Sequence, residues 1–245
     1  YIKGEVIPKP AQITDQFPVK MGDLRLKRRS LSFGSITQGN NKILEIEYTN
    51  NTDKPITVDL LVREQDSYIK PNVTLKTVGP KEVGKLQFAL QSDESPLLGP
   101  VNVKAYVMVN GKRDLSETYM ITLSANIRED FSKMTIEERQ QAPIIEFNST
   151  LDLGVIKKGK ISSHKLHISN VGVNPLIIRR IVCDDANVKI VAPKSPIKGG
   201  RSIDLKLDID ATANTAPAQY SRFITLITND PAHANIRVRI NWTIE

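Results

Sequence analysis

Apolar and polar residues alternate along this chain in short runs, with Gly, Asn and Pro between them. The last run is the clearest. Ile236, Val238, Ile240, Trp242 and Ile244 share one face, and Arg237, Arg239, Asn241 and Thr243 share the other. That is the period-two pattern of a strand with one buried side. An earlier run places Tyr119, Ile121, Leu123, Ala125 and Ile127 on one face in the same way. The pattern predicts strands at Leu31–Ile36, Ile43–Asn50, Ile56–Arg63, Asn72–Lys76, Lys85–Gln91, Val101–Val109 and Glu117–Ile127. A second set follows at Ile145–Leu153, Ile161–Asn170, Leu176–Cys183, Asn187–Val191, Ser202–Ile209, Tyr220–Ile227 and Asn235–Ile244. Asn110-Gly111 between two alternating runs is a hairpin signal.

The two sets are one module used twice. Leu31, Gly34, Ile36, Gly39, Asn50 and Pro55 recur 120 residues later (151 − 31 = 120) as Leu151, Gly154, Ile156, Gly159, Asn170 and Pro175. Glycines at 34/154 and 39/159 suit a crossing where the backbone turns or approaches closely. Asn50 and Asn170, at strand ends, suit a left-handed turn or a hydrogen bond to their own turn. Pro55 and Pro175 open the next strand, where a missing N–H is tolerated. These eight residues read as a structural motif, not an active site. Seven short strands, twice over, predict an all-β chain of two tandem immunoglobulin-like sandwiches. The Cys…Trp…Cys signature of antibody domains is absent.

The predicted boundaries are residues 21–128 for the first sandwich and 144–245 for the second. Between them, 129–143 reads as a helical connector, with the helix at Glu129–Ala142. Thr135 and Glu138 form a capping box, and Pro143 ends the helix. Phe131 and Met134 are apolar side chains able to dock against the flanking domains and are the expected interdomain packing residues, fixing an angle between the sandwiches. Residues 1–20 carry Pro8, Pro10 and Pro18 and are expected to be extended. Within them, Tyr1–Val6 is expected to be the last strand of an upstream repeat.

Composition narrows the function classes. Hydrophobic residues make up 40% and charged residues 25% of the 245 positions, ordinary for a globular protein. No run approaches the roughly 20 apolar residues of a membrane span. A net charge of +7 raises the question of nucleic acid. Lys27-Arg28-Arg29 and Arg179-Arg180 are the notable basic clusters, and aromatics are only 5% of the chain. Base-stacking platforms are therefore not expected, and neither is nucleic-acid binding.

Candidate chemistry is sparse. His164 and His167, three apart on a strand, point to opposite faces and cannot share a metal. His233, Asp184-Asp185, Asp208/Asp210 and Asp93-Glu94 match no ligand or glycosidase pattern. No catalytic, cofactor or metal residues are assigned, and the expectation is a non-enzyme. The single Cys183 is expected to be a buried or half-buried thiol on a face with Ile177, Arg179 and Ile181.

The stretches LGVIKKG, ISNVGVNPLIIRRI, KGGRSIDLKLDID and ITLITNDP resemble the DUF1573 family, a bacterial branch of the ASH immunoglobulin-like domains. Those domains in turn look like PapD-type sandwiches. EDFSKMTIEERQQAP is similar to the inter-repeat segment of tandem members from Bacteroidota. The resemblance implies a periplasmic or cell-surface address and no known catalysis. Two readings follow. The first is a non-catalytic envelope protein that binds an unidentified protein partner through an edge strand or interdomain groove. The second is a glycan-binding or cell-wall accessory module, with Tyr68, Tyr106 and Tyr220 as stacking candidates. Two or more coplanar exposed aromatics on one face would favour the second.

Overall fold

A computed structural model describes residues 12–212 and 216–245. The expected upstream strand at Tyr1–Val6 lies outside the described residues. The chain divides into two compact units, the first ending at Asn126 and the second starting at Ile127, with Leu97–Pro100 grouped with the second.

The described residues of the first unit begin with a one-turn helix, α1 (Ile13–Gln16), and two short strands, β1 (Val19–Met21) and β2 (Leu24–Leu26). Residues 12–20 are thus not simply extended: Asp15 accepts from Gln12 N and starts one helical turn ahead of Pro18. There follow β3 (Ser30–Thr37), β4 (Asn41–Asn50), β5 (Ile56–Val62), β6 (Ile69–Val73), β7 (Thr77–Val78), β8 (Val83–Gln91), β9 (Gly99–Val109) and β10 (Met120–Arg128). One sheet has the order β1-β2-β4-β8-β6 and the other β3-β10-β9-β5-β7. The strand expected at Asn72–Lys76 overlaps only the end of β6, and the chain then passes to β7 in the other sheet.

The connector is mostly not helical. Its helix, α2, covers only Ile136–Gln140. The capping box is present: Thr135 Oγ1 accepts from Glu138 N, and Glu138 Oε2 accepts from Thr135 N. Upstream, Asp130 Oδ1 accepts from Ser132 N, and Arg139 donates to the Phe131 carbonyl. This side-chain turn competes with helix over 129–134, and so short a helix has little strength of its own. Phe131 and Met134 are half-buried.

The second unit contains β11 (Ile145–Phe147), β12 (Thr150–Ile156), β13 (Ile161–Asn170), β14 (Ile178–Cys183), β15 (Val188–Ile190), β16 (Arg201–Asp210), β17 (Ala218–Thr228) and β18 (Asn235–Ile244). Its sheets run β11-β13-β16-β15 and β12-β18-β17-β14. The single strand expected at Ile145–Leu153 is broken at Asn148-Ser149. β11 pairs antiparallel with β13 in one sheet, and β12 pairs parallel with β18 in the other. The same crossing of the first strand explains one pair of repeated glycines. Pairing between β12 and β18 slips by one residue between Asp152 and Val155, and Gly154 there has φ +69°. A side chain at Gly154 would meet nothing within 4 Å, so conformation alone requires glycine. Gly34 has the same conformation, φ +74°, in the first sandwich.

The repeated asparagines are buried hubs, and neither has a positive φ. Asn170 Nδ2 donates to the carbonyls of Asn174 and Ile197 at 2.8 and 2.9 Å. Its Oδ1 accepts from Gly172 N and Ile144 N at 3.0 and 3.2 Å. Asn50 repeats this: Nδ2 donates to Lys54 O and Val78 O, and Oδ1 accepts from Thr52. One amide side chain thus ties a strand end to its own turn and to the segment that changes sheet. The core of the second sandwich gathers Leu166, Ile168, Leu205, Leu207, Leu226 and Trp242, among others, between the sheets.

Cys183 is half-buried and packs against that core, but not through the expected alternation. Leu176 and Ile178 are buried while Ile177 and Arg179 are exposed. A bulge between Ile178 and Arg180 then inserts one residue, so that Ile181 and Cys183 take the core side. Arg179 is the extra residue, and its guanidinium makes a two-pronged bond to Glu129.

Candidate interaction surface

The structure keeps the titratable candidates apart. His164 sits toward the core side of β13 and His167 toward solvent, with His233 in the loop before β18. His164 bonds to Ser162, and partial burial pushes its pKa down against the pull of Asp208. His167 bonds to Asp204, whose carboxyl lies below its usual range because of hydrogen bonds from His167 and Lys165. Among the described residues, no three His, Cys, Asp or Glu side chains are grouped to hold a metal ion. Burial also pushes the Cys183 thiol upward.

The Thr228-Asn229-Asp230-Pro231 turn is structural. Asp230, 1% exposed, accepts from Ile145 N, Ala232 N and His233 N. Asn229 Oδ1 accepts from Ile177 N at 2.6 Å. The turn therefore clips the start of β11 and the approach to β14 onto the β17–β18 hairpin.

The sheet edges carry blunting features. β11, β15 and β1 have three residues each and β7 two, and Pro71 lies within edge strand β6. β12 and β14 are bulged. On β3 the Phe33 carbonyl accepts from Lys42 Nζ at 2.9 Å, and Gly34 N donates to Ser32 Oγ.

The outer face of β12-β18-β17-β14 is different. Register places Asn241 between Asp152 and Ser221, and Thr243 between Val155 and Gln219. Those six residues line a groove of about 590 Å³. Its floor is the backbone side of Tyr220 and Trp242, whose rings stack at 5.3 Å on the core side. Beyond Asn241 the same face carries Arg239 and Arg237, both exposed, beside half-buried Phe223. The Arg237 guanidinium carbon is 4.0 Å, and that of Arg239 5.1 Å, from the Phe223 ring centroid. The alternation of the last strand places Arg237, Arg239, Asn241 and Thr243 on one face and assigns them no role. The stacking on Phe223 depends on cross-strand register, which a single sequence does not display.

The stacking candidates for sugar are not available on a surface. Tyr68 and Tyr106 are core residues at 2% and 4% exposure, and Tyr220 is half-buried with its hydroxyl donated to Ala216 O. None of the described aromatic residues is exposed. Among the described residues, the glycan reading thus has no exposed aromatic platform.

Comparison with known proteins agrees with this architecture. Residues 143–241 match the family model described as HYDIN/CFA65/VesB-like, Ig-like domain. The second sandwich is thus similar to an ASH-like Ig fold. No curated protein matches the chain. Among solved structures, a protein of unknown function from Porphyromonas gingivalis W83 aligns with TM-score 0.70 at 19% identity, covering 91% of this chain and 100% of that one. This likeness shows the fold alone. The periplasmic chaperone SfaE aligns at TM-score 0.33 and 11% identity, covering 91% of this chain and 100% of that one. The endo-fucoidan hydrolase MfFcnA4_H294Q aligns at TM-score 0.31 and 12% identity, covering 98% of this chain and 31% of the hydrolase. Scores this low do not bear on function. Among the described residues, no helix is long and apolar enough to cross a membrane.

Proposed function

We propose that this chain is a non-catalytic protein-interaction module of the cell envelope, periplasmic or surface-exposed, of the DUF1573 type. Its binding surface is the outer face of β12-β18-β17-β14. The observation that carries the reading is the groove of Asp152, Ser221, Asn241 and their neighbours, continuous by register with the stacked Arg237, Phe223 and Arg239. The match of residues 143–241 to an Ig-like family model supports an interaction role. Ser221 has no histidine or lysine beside it among the groove residues to act as its base. A face is favoured over strand addition because the edges are bulged, short or capped.

A photo-crosslinking side chain at Ser221 or Thr225, in the native envelope, tests the reading. The expected result is a discrete protein adduct from these positions and none from Lys165 on the opposite sheet. Adducts with polysaccharide alone, or equal capture from Lys165, would overturn it.

A further inference from the structure

We infer that this face receives an extended acidic segment of a partner protein, with carboxylates at alternate positions pairing with Arg239 and Arg237. The inference rests on the proposed function and names its partner's chemistry.

Charge balance is the first argument. The exposed face of the opposite sheet neutralises itself: Lys165 and His167 meet Asp204, Lys206 meets Asp208, and Lys189 meets Asp210. In the first sandwich, Lys27 pairs with Glu47 and Lys85 with Glu45. Arg237 and Arg239 differ from these pairs. Among the described residues, neither has a carboxylate partner, and both stack on Phe223 instead. Stacking fixes the planar guanidinium and leaves its N–H edge free for a two-pronged bond to a carboxylate. Side chains already held in place also lose less entropy when a ligand arrives.

Spacing is the second argument. Arg237 and Arg239 are alternate residues of one strand, so they repeat at roughly 7 Å along it. An extended peptide lying over the face carries its alternate side chains at the same repeat. Two carboxylates separated by one residue therefore meet both arginines, whereas adjacent carboxylates point to opposite sides of the peptide. The next position along β18 is Asn241, directly across from Asp152. A third carboxylate in the series would be repelled there, so the acidic run is short and a neutral or basic residue follows it.

The same features disfavour other polyanions. A nucleic acid or sulfated chain carries more, and more closely spaced, charge than two arginines flanked by Asp152 can match. The ring of Phe223 is occupied by both guanidiniums, so it is not available to stack a base or a sugar.

The test uses the full chain and fluorescence anisotropy. The probe is a labelled synthetic peptide of Glu alternating with Thr over two Glu positions, followed by Lys. Controls are a peptide of equal composition with adjacent Glu residues, an oligonucleotide duplex and heparin. We expect the alternating peptide to bind about tenfold more tightly than the clustered one. R237Q/R239Q should weaken it about tenfold, R237K/R239K less, and K165Q/K206Q not at all. Unchanged Trp242 fluorescence confirms that each variant is folded. Equal binding of the two peptides, binding unaffected by R237Q/R239Q, or tighter binding of the duplex or heparin each overturns the inference. If Ser221 still crosslinks a protein while these arms fail, the acidic segment is wrong and the interaction face stands. If the peptide behaves as expected but no protein is captured in the envelope, the proposed function fails instead.

Discussion

Replacing Asn170 with Ala should cost the second sandwich about 3–4 kcal/mol. The side chain satisfies four backbone groups: the carbonyls of Asn174 and Ile197, and the N–H groups of Gly172 and Ile144. Each buried group left unpaired costs about 1–3 kcal/mol. The bond to Ile197 O is fully buried, while the other three are partly open and regain some solvation. A full sum would therefore overshoot. Trp242, the single tryptophan, is 3% exposed inside the affected core, so its fluorescence in a urea titration reports this sandwich directly.

Asn170→Asp separates the hydrogen-bond account from a volume account. A carboxylate would face the Asn174 and Ile197 carbonyls, and its folded-state pKa would lie above the ordinary ~3.9. A raised folded-state value favours folding of the protonated form. The deficit of N170D should therefore shrink as pH falls below the unfolded value and grow as pH rises through the folded one. N170A should lack this dependence. A loss below about 1 kcal/mol for N170A, or pH-independent losses in both variants, would refute the hub argument.

Three further outcomes are expected. Gly172→Ala should lower the melting temperature more than Gly154→Ala: its Cβ would lie 2.4 Å from Ala142 O and Ile144 N, whereas Gly154 meets only the conformational cost of φ +69°, about 1 kcal/mol. Tyr48 donates to Leu75 O at 2.6 Å, and burial raises its pKa from 10.0 to about 12. Its contribution to stability is complete below pH 10 and lost as pH rises to about 12, so Tyr48→Phe should remove that part of the alkaline unfolding curve. Cys183, half-buried with its thiol pKa raised, should react with a thiol reagent much more slowly than free cysteine at neutral pH, and fast labelling of the native protein would contradict its placement.

Alternation alone made much of this fold legible. β13 and β18 have the expected limits, since each has a clean apolar face and turn residues at both ends. Legibility failed where a strand changes sheet or register. Ile145–Leu153 looks continuous, yet at Asn148-Ser149 the chain leaves β13 for β18, because period two says nothing about which sheet is buried behind a residue. The Cys183 face was misread because a bulge at Arg179 shifts the phase by one, and Arg179 on an apparent core face was its trace in the sequence. The connector looked helical because the Thr135–Glu138 box is real, but Asp130 and Ser132 form a turn before it. The candidate surface was least legible. Arg237, Arg239 and Phe223 lie on two strands, and only the pairing of Phe223 with Arg239 brings them together.

The repeat also indicates where function should be sought. Residues shared between the two copies answer to the fold: Gly34 and Gly154 take the same left-handed backbone conformation, and Asn50 and Asn170 hold the sheet-changing segments. The closing strands keep the same inward alternation, Ile121, Leu123, Ala125 and Ile127 matching Val238, Ile240, Trp242 and Ile244. Their outward positions diverge. Where the second copy shows Arg237, Arg239, Asn241 and Thr243, the first has Met120, Thr122, Ser124 and Asn126. Packing constrains the inward set in both copies, but it does not require two uncompensated arginines on an outer face. Their mutual repulsion costs stability unless something offsets it, and stacking on Phe223 does so only in part. On the proposed reading, one sandwich is kept for support and its twin is shaped for a partner, and the stacked arginine pair on one copy beside uncharged residues on the other is the difference that reading would produce.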